Sequence, residues 1–223
     1  MNGRSAILTK IRSSLRTAAD DKTRAAAVAE RLQSAPVGVI PKRGQLPTDE
    51  RIALFVAMAE KYNASTARID GIEALAAHVV DYLKSHNLPA SIRLGDDSLL
   101  ARADWATEKT LEVKQGASDG EDLAGVSLAF GAIAETGTLA LLSGPDNPVT
   151  VTFLPEHHIV ALKVEDIAGD METLFARLRQ RYGKAVMPRT LNFVTGPSRS
   201  ADIEQTLLLG AHGPRALHIV ILA

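Results

Sequence analysis

From residue 64 onward the chain alternates short apolar runs with stretches whose apolar residues recur every three or four positions. The first pattern predicts strands and the second predicts helices. Ala67 to Ile69 reads as a strand. Gly71 to Ser85 follows as a helix, with Ile72, Leu75, Ala76, Val79, Val80 and Leu83 on one face. Ser91 to Leu94 and Thr110 to Val113 read as strands on either side of a short helix at Ser98 to Trp105. In the second half, Val126 to Phe130, Thr138 to Leu142, Val149 to Leu154 and Ile159 to Leu162 read as strands, some at hairpin-like spacing. Asp170 to Tyr182 predicts a helix with Met171, Leu174, Phe175 and Leu178 on one face. A strand at Thr190 to Val194, a helix after Ser200 with its body at Gln205 to Leu209, and a strand at Leu217 to Leu222 close the pattern. This rhythm predicts an α/β fold, a mainly parallel central sheet flanked by helices.

The first part of the chain is different. Residues 5 to 33 are Ala-rich and helical in pattern, as one helix or two, and Ile7, Leu8, Ile11 and Leu15 form one apolar stripe. Ser34 to Pro47 holds three prolines and two glycines and reads as a linker or extended arm. Thr48-Asp-Glu then opens a helix that runs to about Tyr62, with acids in its first turn. The expected organisation is a helical appendage and arm at residues 1–46 and an α/β domain at residues 47–223.

Composition narrows the function classes. The 223 residues are 46% hydrophobic with net charge −1, so no global field draws in nucleic acid or an anionic membrane. There is no cysteine, which excludes a thiol nucleophile and any thiolate-held zinc or iron–sulfur site on this chain. No apolar run approaches membrane-spanning length. Arg4, Lys10, Arg12 and Arg16 precede the first acid, Asp20, which resembles a transit peptide in charge. The apolar stripe reads instead as a folded amphipathic helix, and a cytoplasmic protein is expected.

The segment Thr195-Gly-Pro-Ser-Arg-Ser-Ala-Asp-Ile-Glu204 is the most informative for chemistry. A strand that stops at Gly-Pro-Ser and restarts as a helix at Ser-Ala-Asp leaves backbone N–H groups free. With the helix dipole, these suit an anion. Arg199 adds a forked cation. Gly196, Ser198, Arg199, Ser200 and Asp202 are therefore candidate anchors for a small anionic ligand. The plain alternative is a strand-to-helix turn capped by Ser198 or Ser200, with Arg199 in a surface ion pair with Asp202 or Glu204.

Ala134-Glu-Thr-Gly-Thr138 supplies a second candidate. A carboxyl desolvated at a strand junction suits proton transfer or nucleophilic attack, which makes Glu135 the candidate catalytic residue. Gly137 would let a substrate approach the backbone, and Thr136 and Thr138 offer hydroxyls. The alternative is a Glu135 that only rigidifies a turn. Ligands of open α/β sheets bind outside the carboxyl ends of strands. The Glu135 loop and the Gly196 to Asp202 loop are thus expected at one end of the sheet, facing one pocket.

His157 and His158 are adjacent in a strand or its approach, where successive side chains face opposite ways. They are expected to be satisfied or surface residues, and no metal site is expected. His212, in Ala211-His-Gly-Pro214, would follow the last helix as a dipole partner or a ligand donor. No GxGxxG or GxxxxGK[ST] motif occurs, and the tests for a hydrolase GxSxG elbow fail.

Taken together, Ala134 to Thr138, Leu154-Pro-Glu-His-His-Ile159, Thr195 to Glu204 and Leu209-Gly-Ala-His-Gly-Pro-Arg215 resemble the lactate utilisation protein C family, also called the LUD domain family. The resemblance is specific from about Val126 to Leu222 and looser before Gly125. It implies the superfold of ribose-phosphate isomerase, glucosamine-phosphate deaminase and the CoA transferases. It also implies a part in oxidising L-lactate to pyruvate, alongside two partner proteins that carry iron–sulfur clusters. No cofactor is expected on this chain itself. Two roles follow from the resemblance. One is a non-redox ligand-binding or assembly subunit. The other is a free-standing CoA-transferase-like or phosphate-ester-handling enzyme that uses Glu135.

Overall fold

A computed structural model of the chain describes residues 3–16, 18, 20–201 and 207–223. In order come α1 (Gly3–Ser14), α2 (Lys22–Ser34), α3 (Thr48–Lys61), β1 (Ser65–Ile69), α4 (Leu75–Ser85), β2 (Ser91–Leu94), β3 (Glu112–Gln115), β4 (Ala124–Leu128), β5 (Gly131–Ile133) and β6 (Thr138–Leu142). They are followed by α5 (Val149–Phe153), β7 (His157–Lys163), β8 (Ile167–Ala168), α6 (Met171–Tyr182), β9 (Leu191–Val194), β10 (Arg199–Ala201), β11 (Leu207–Leu209) and β12 (Ala216–Leu222). The short helix expected at Ser98 to Trp105 is two 3₁₀ turns, Leu100–Arg102 and Trp105–Thr107.

The strands β1, β12, β7, β4, β2 and β3 lie side by side in that order, and every pair is parallel. Parallel strands covered on both faces are apolar at successive positions rather than at alternate ones. The runs Ile159-Val-Ala-Leu162 and Ile219-Val-Ile-Leu222 have that character and occupy the middle of the sheet. Val160, Leu162, Ile219 and Ile221 turn to Phe55 and Ala59 of α3 and to Leu139 and Leu141 of β6. Ile159, Ala161, Val220 and Leu222 turn to Leu75, Val79 and Leu83 of α4. Each fully buried Leu, Ile or Phe contributes roughly 1.5–3 kcal/mol. The α/β class expected from the pattern therefore holds, with one refinement. One face of the central sheet carries a second, mixed sheet, β8-β5-β6-β9, beside α3.

Two expected elements take a different form. Val149 to Leu154 reads as a strand because it is β-branched, yet Val149–Phe153 is a one-turn helix between Pro148 and Pro155. Tertiary packing overrides propensity here. The backbone of α5 lies directly on β4, so close that a Cβ on Gly125 would come within 2.6 Å of the Val151 carbonyl oxygen. The second difference is at 199–209, where the expected helix is an antiparallel pair. β10 and β11 match Arg199 with Leu209 and Ala201 with Leu207. Residues 202–206, which include Asp202, lie outside the described residues.

At the amino-terminal side, α1 and α2 are separate helices that bury no residue, and Ile7, Ile11 and Leu15 are exposed. None of the described helices is long and apolar enough to cross a membrane. The arm after α2 docks through small residues and a few polar bonds. Gly44 and Gly169 pack backbone to backbone. The Arg43 Nε donates to Glu135 at 3.1 Å, and the Gln45 amide donates to Asp170 at 2.8 Å. A Cβ on Gly169 would overlap the Gly44 carbonyl, so Gly169→Ala should displace the arm. A cost of about 1–3 kcal/mol is expected for such overpacking. Trypsin cleavage after Lys42 or Arg43 should accelerate in that variant while the α/β core stays resistant.

Candidate functional site

The site is built around the start of β7. His158 enters the sheet between β4 and β12 and is 1% exposed. Its Nε2 is 2.9 Å from the Ser127 hydroxyl of β4, and its Nδ1 has no hydrogen-bond partner in the protein. Burial pushes the imidazole down to about 3, so the ring is neutral near pH 7. Thr152 on α5 is also 1% exposed, and its Oγ1 too has no partner. Both residues line one cavity of about 250 Å³, while the Thr152 Oγ1 and His158 Nδ1 atoms are themselves buried.

Two loops form the rest of the wall. The first leaves β9 through Thr195-Gly-Pro-Ser198. Gly196 has φ +72°, and a Cβ there would overlap the Tyr62 carbonyl at the end of α3, so both backbone and space require glycine. The second loop contains His212-Gly-Pro214. It is joined to the first where the Ser198 N–H donates to the Pro214 carbonyl at 2.8 Å. Arg199 and His212 are exposed at the rim, and the Arg199 guanidinium also donates to the Tyr62 carbonyl at 3.2 Å. Phe153, Phe193, Val194 and Leu217 give apolar wall.

Chemically, the cavity offers a cation and an imidazole on its exposed side, with the buried residues Thr152 and His158 in its wall. No carboxylate lines it among the described residues. That set suits a small anion with an apolar body. No group of three or more His, Cys, Asp or Glu residues is placed to hold a metal among the described residues.

The structure separates the two loops that the sequence joined. Both pack against the last turn of α3, and the Thr136, Thr138 and Thr195 hydroxyls link them at 2.8 and 2.7 Å. Yet of these two only the Gly196 loop lines the cavity. Glu135 is buried outside it, paired with Arg43. Gly137, at φ +64°, makes room for the Met58 and Ala59 backbone of α3 rather than for a substrate. Ser198 lines the cavity, whereas Ser200 sits in β10 and neither serine caps a helix. With Arg199–Ala201 paired to Leu207–Leu209, no helix among the described residues starts after Gly196 or ends at His212. The cavity also lies at the amino ends of β7 and β12, beside His158 and Leu217, not at their carboxyl ends.

Comparison with known proteins fits these motifs. The LUD domain model matches residues 52–222, which include every residue named in the cavity. The chain belongs to the LUD domain family. Among LUD relatives, lactate utilization protein C of Geobacillus thermodenitrificans is 36% identical over 134 residues, 56% of each chain. The Bacillus subtilis protein of that name is 36% identical over 137 residues, 57% of each chain. The chain thus aligns with little more than half the length of these curated relatives. A crystal structure of a DUF162 family protein from Deinococcus radiodurans shares the fold. Its TM-score is 0.59 at 19% identity, covering 80% of this chain and 99% of that one.

Sequence reasoning missed Thr152 in this LUD chain and read His158 only as satisfied or surface, without its burial. Thr152 was hidden by the strand reading of its segment. His158 did carry a signal. It stands at the head of an apolar run too long for a half-exposed strand, and such a position is buried on whichever face it takes. The adjacent His157 turns to the α4 face, where its Nδ1 is 2.9 Å from the Tyr82 hydroxyl. There His218 bonds Ser65 at 2.7 Å and His78 at 2.8 Å, and its ring stacks on Tyr82. Burial, with the charges of His78 and His86, pushes His218 down to about 4.

A histidine held below its unfolded value near 6.5 binds its proton more weakly in the native state. Its contribution is complete above pH 6.5 and is lost as pH falls toward the native pKa. His218 should thus remove on the order of 3 kcal/mol between pH 6.5 and 4, and His158 should add to the loss down to pH 3. Chemical denaturation at stepped pH should show this slope, and His218→Gln should flatten it.

Proposed function

We propose that this chain is a non-redox subunit of a lactate utilisation system, and that its cavity binds a small carboxylate such as lactate or pyruvate. One observation carries the reading. Leu154 to Ile159, Thr195 to Arg199 and His212 to Pro214 lie far apart in sequence and meet at or beside one cavity. That cavity has a guanidinium at its rim and no acid among its described lining residues. The curated relatives named lactate utilization protein C supply the metabolic setting.

Oxidising lactate to pyruvate sends two electrons elsewhere. A chain without cysteine cannot hold a thiolate-ligated cluster, so the proposal gives electron transfer to iron–sulfur partner proteins. Binding is preferred over a free-standing CoA-transferase-like enzyme because Glu135 is turned to Arg43 and away from the cavity.

Isothermal titration with pyruvate and L-lactate tests the site directly. A charge-assisted bond contributes about 1.5–3 kcal/mol, so Arg199→Ala should weaken binding roughly ten- to a hundredfold. Its melting temperature should barely change, because the side chain is exposed. Affinity purification from cells grown on lactate should recover cluster-bearing partners. Glu135→Gln should leave growth on lactate intact. Loss of growth in that variant, with binding retained, would favour the enzyme reading.

A further inference from the structure

The amino-terminal appendage and the α/β body carry opposite charge. Residues 1–47 hold nine Lys or Arg against three Asp or Glu, net +6, and residues 48–223 hold 16 against 23, net −7. The formal charge of −1 for the whole chain conceals this division. The appendage also keeps its apolar side chains in solvent. Ile7, Leu8, Ile11 and Leu15 of the α1 stripe are between 39 and 62% exposed. The stripe spans about 12 Å at the helical rise. Arg4 precedes it, Lys10 and Arg12 flank it and Arg16 follows it, and no acid occurs before Asp20. A helix as short as α1 is marginal in water by itself, so a surface that covers its stripe stabilises it.

The body holds a counterpart. α3 and β1, the outer strand of the central sheet, line a groove of about 480 Å³. Ala53, Val56 and Ala57 of α3 and Ala67 of β1 give it an apolar surface of small residues. Such residues let a second helix pack at the usual distance of about 8–10 Å between axes. Asp49 and Glu60 bracket this face, about 16 Å apart along α3, and Arg68 stands on the strand side. An apolar stripe bracketed by cations thus matches, in length and in charge, an apolar groove bracketed by acids, and one chain carries both. We propose that α1 docks in the α3–β1 groove of a second copy of this chain. Each copy gives one helix and receives one, which closes a two-fold dimer. Contact between two appendages would oppose like charges, and an anionic bilayer would repel the body.

Sedimentation equilibrium of the full chain tests this. A dimer is expected, and its dissociation constant should rise between about 50 and about 500 mM NaCl as the bracketing charges are screened. Ile11→Asp and Ala57→Arg should each raise that constant more than about tenfold, because each disrupts both halves of the dimer. Ile11 and Ala57 are exposed in the single chain, so the melting temperature of dilute monomer should be unchanged in both variants. Charge reversal gives a specific control. Arg12→Glu with Arg16→Glu, or Asp49→Lys with Glu60→Lys, should weaken the dimer, and all four changes in one chain should restore it. A chain that stays monomeric at every concentration would overturn the proposal. So would a dimer indifferent to Ile11→Asp and Ala57→Arg, or four reversals that fail to restore what each pair removes. Binding of a monomeric wild-type chain to phosphatidylglycerol vesicles, lost in Ile11→Asp, would overturn it in favour of a membrane surface.

Discussion

A strand covered on both faces has no solvent side to which a polar residue can turn, and β7 begins with two histidines. Its neighbours β4 and β12 close it laterally, while α4 covers one face and the second sheet with α3 covers the other. The alternation of side chains then sends His157 and His158 to opposite layers. His157 finds the Tyr82 hydroxyl and joins an aromatic and imidazole cluster. His158 finds one partner, Ser127, its other nitrogen has none, and the residue lines a cavity. The same constraint that builds the core thus places one neutral imidazole in the wall of the cavity.

The last turn of α3 is the second fixed point. The Tyr62 carbonyl accepts from Arg199, and the Gly196 backbone lies against it. One turn earlier, Met58 and Ala59 meet Gly137. Two loops distant in sequence are therefore held to one helix end by glycines that allow backbone-to-backbone contact. Thr138 and Thr195 join them through their hydroxyls. Glu135 belongs to this scaffold through its Arg43 pair, which ties the arm to the α/β body. Its motif is close to the site without lining it, so sequence spacing alone could not exclude it from the chemistry.

The fold was legible wherever a run was long and its period unambiguous. The helices at 75–85 and 171–182 and the central strands lie within a few residues of their expected bounds. What escaped were short segments whose form is set by neighbours. Val149 to Phe153 is helical because it must bridge β6 and β7 while lying on Gly125. Leu207 to Leu209 pairs with β10 although its leucines suit a helix. Of the site, the Gly196 to Arg199 segment was legible as one to single out, and it does line the cavity, but its local form was not legible. Its position is set by the β10–β11 pairing and by contacts with the end of α3.

The location of the cavity follows from the second sheet. In a single open parallel sheet the loops after the strands gather at the carboxyl ends, and ligands bind there. Here β9 belongs to the mixed sheet stacked on that layer, and it delivers Val194 and Thr195 to the amino ends of β7 and β12. The cavity therefore still lies beyond the carboxyl end of a strand, but that strand is β9. Its loop meets the start of β7, where the central sheet exposes strand beginnings and where His158 is the second residue. A site assembled between two layers can place a rim from one and a floor from the other. The rim, with Arg199, can change without disturbing the core. The floor, with His158, cannot, because it is part of the strand on which both layers pack.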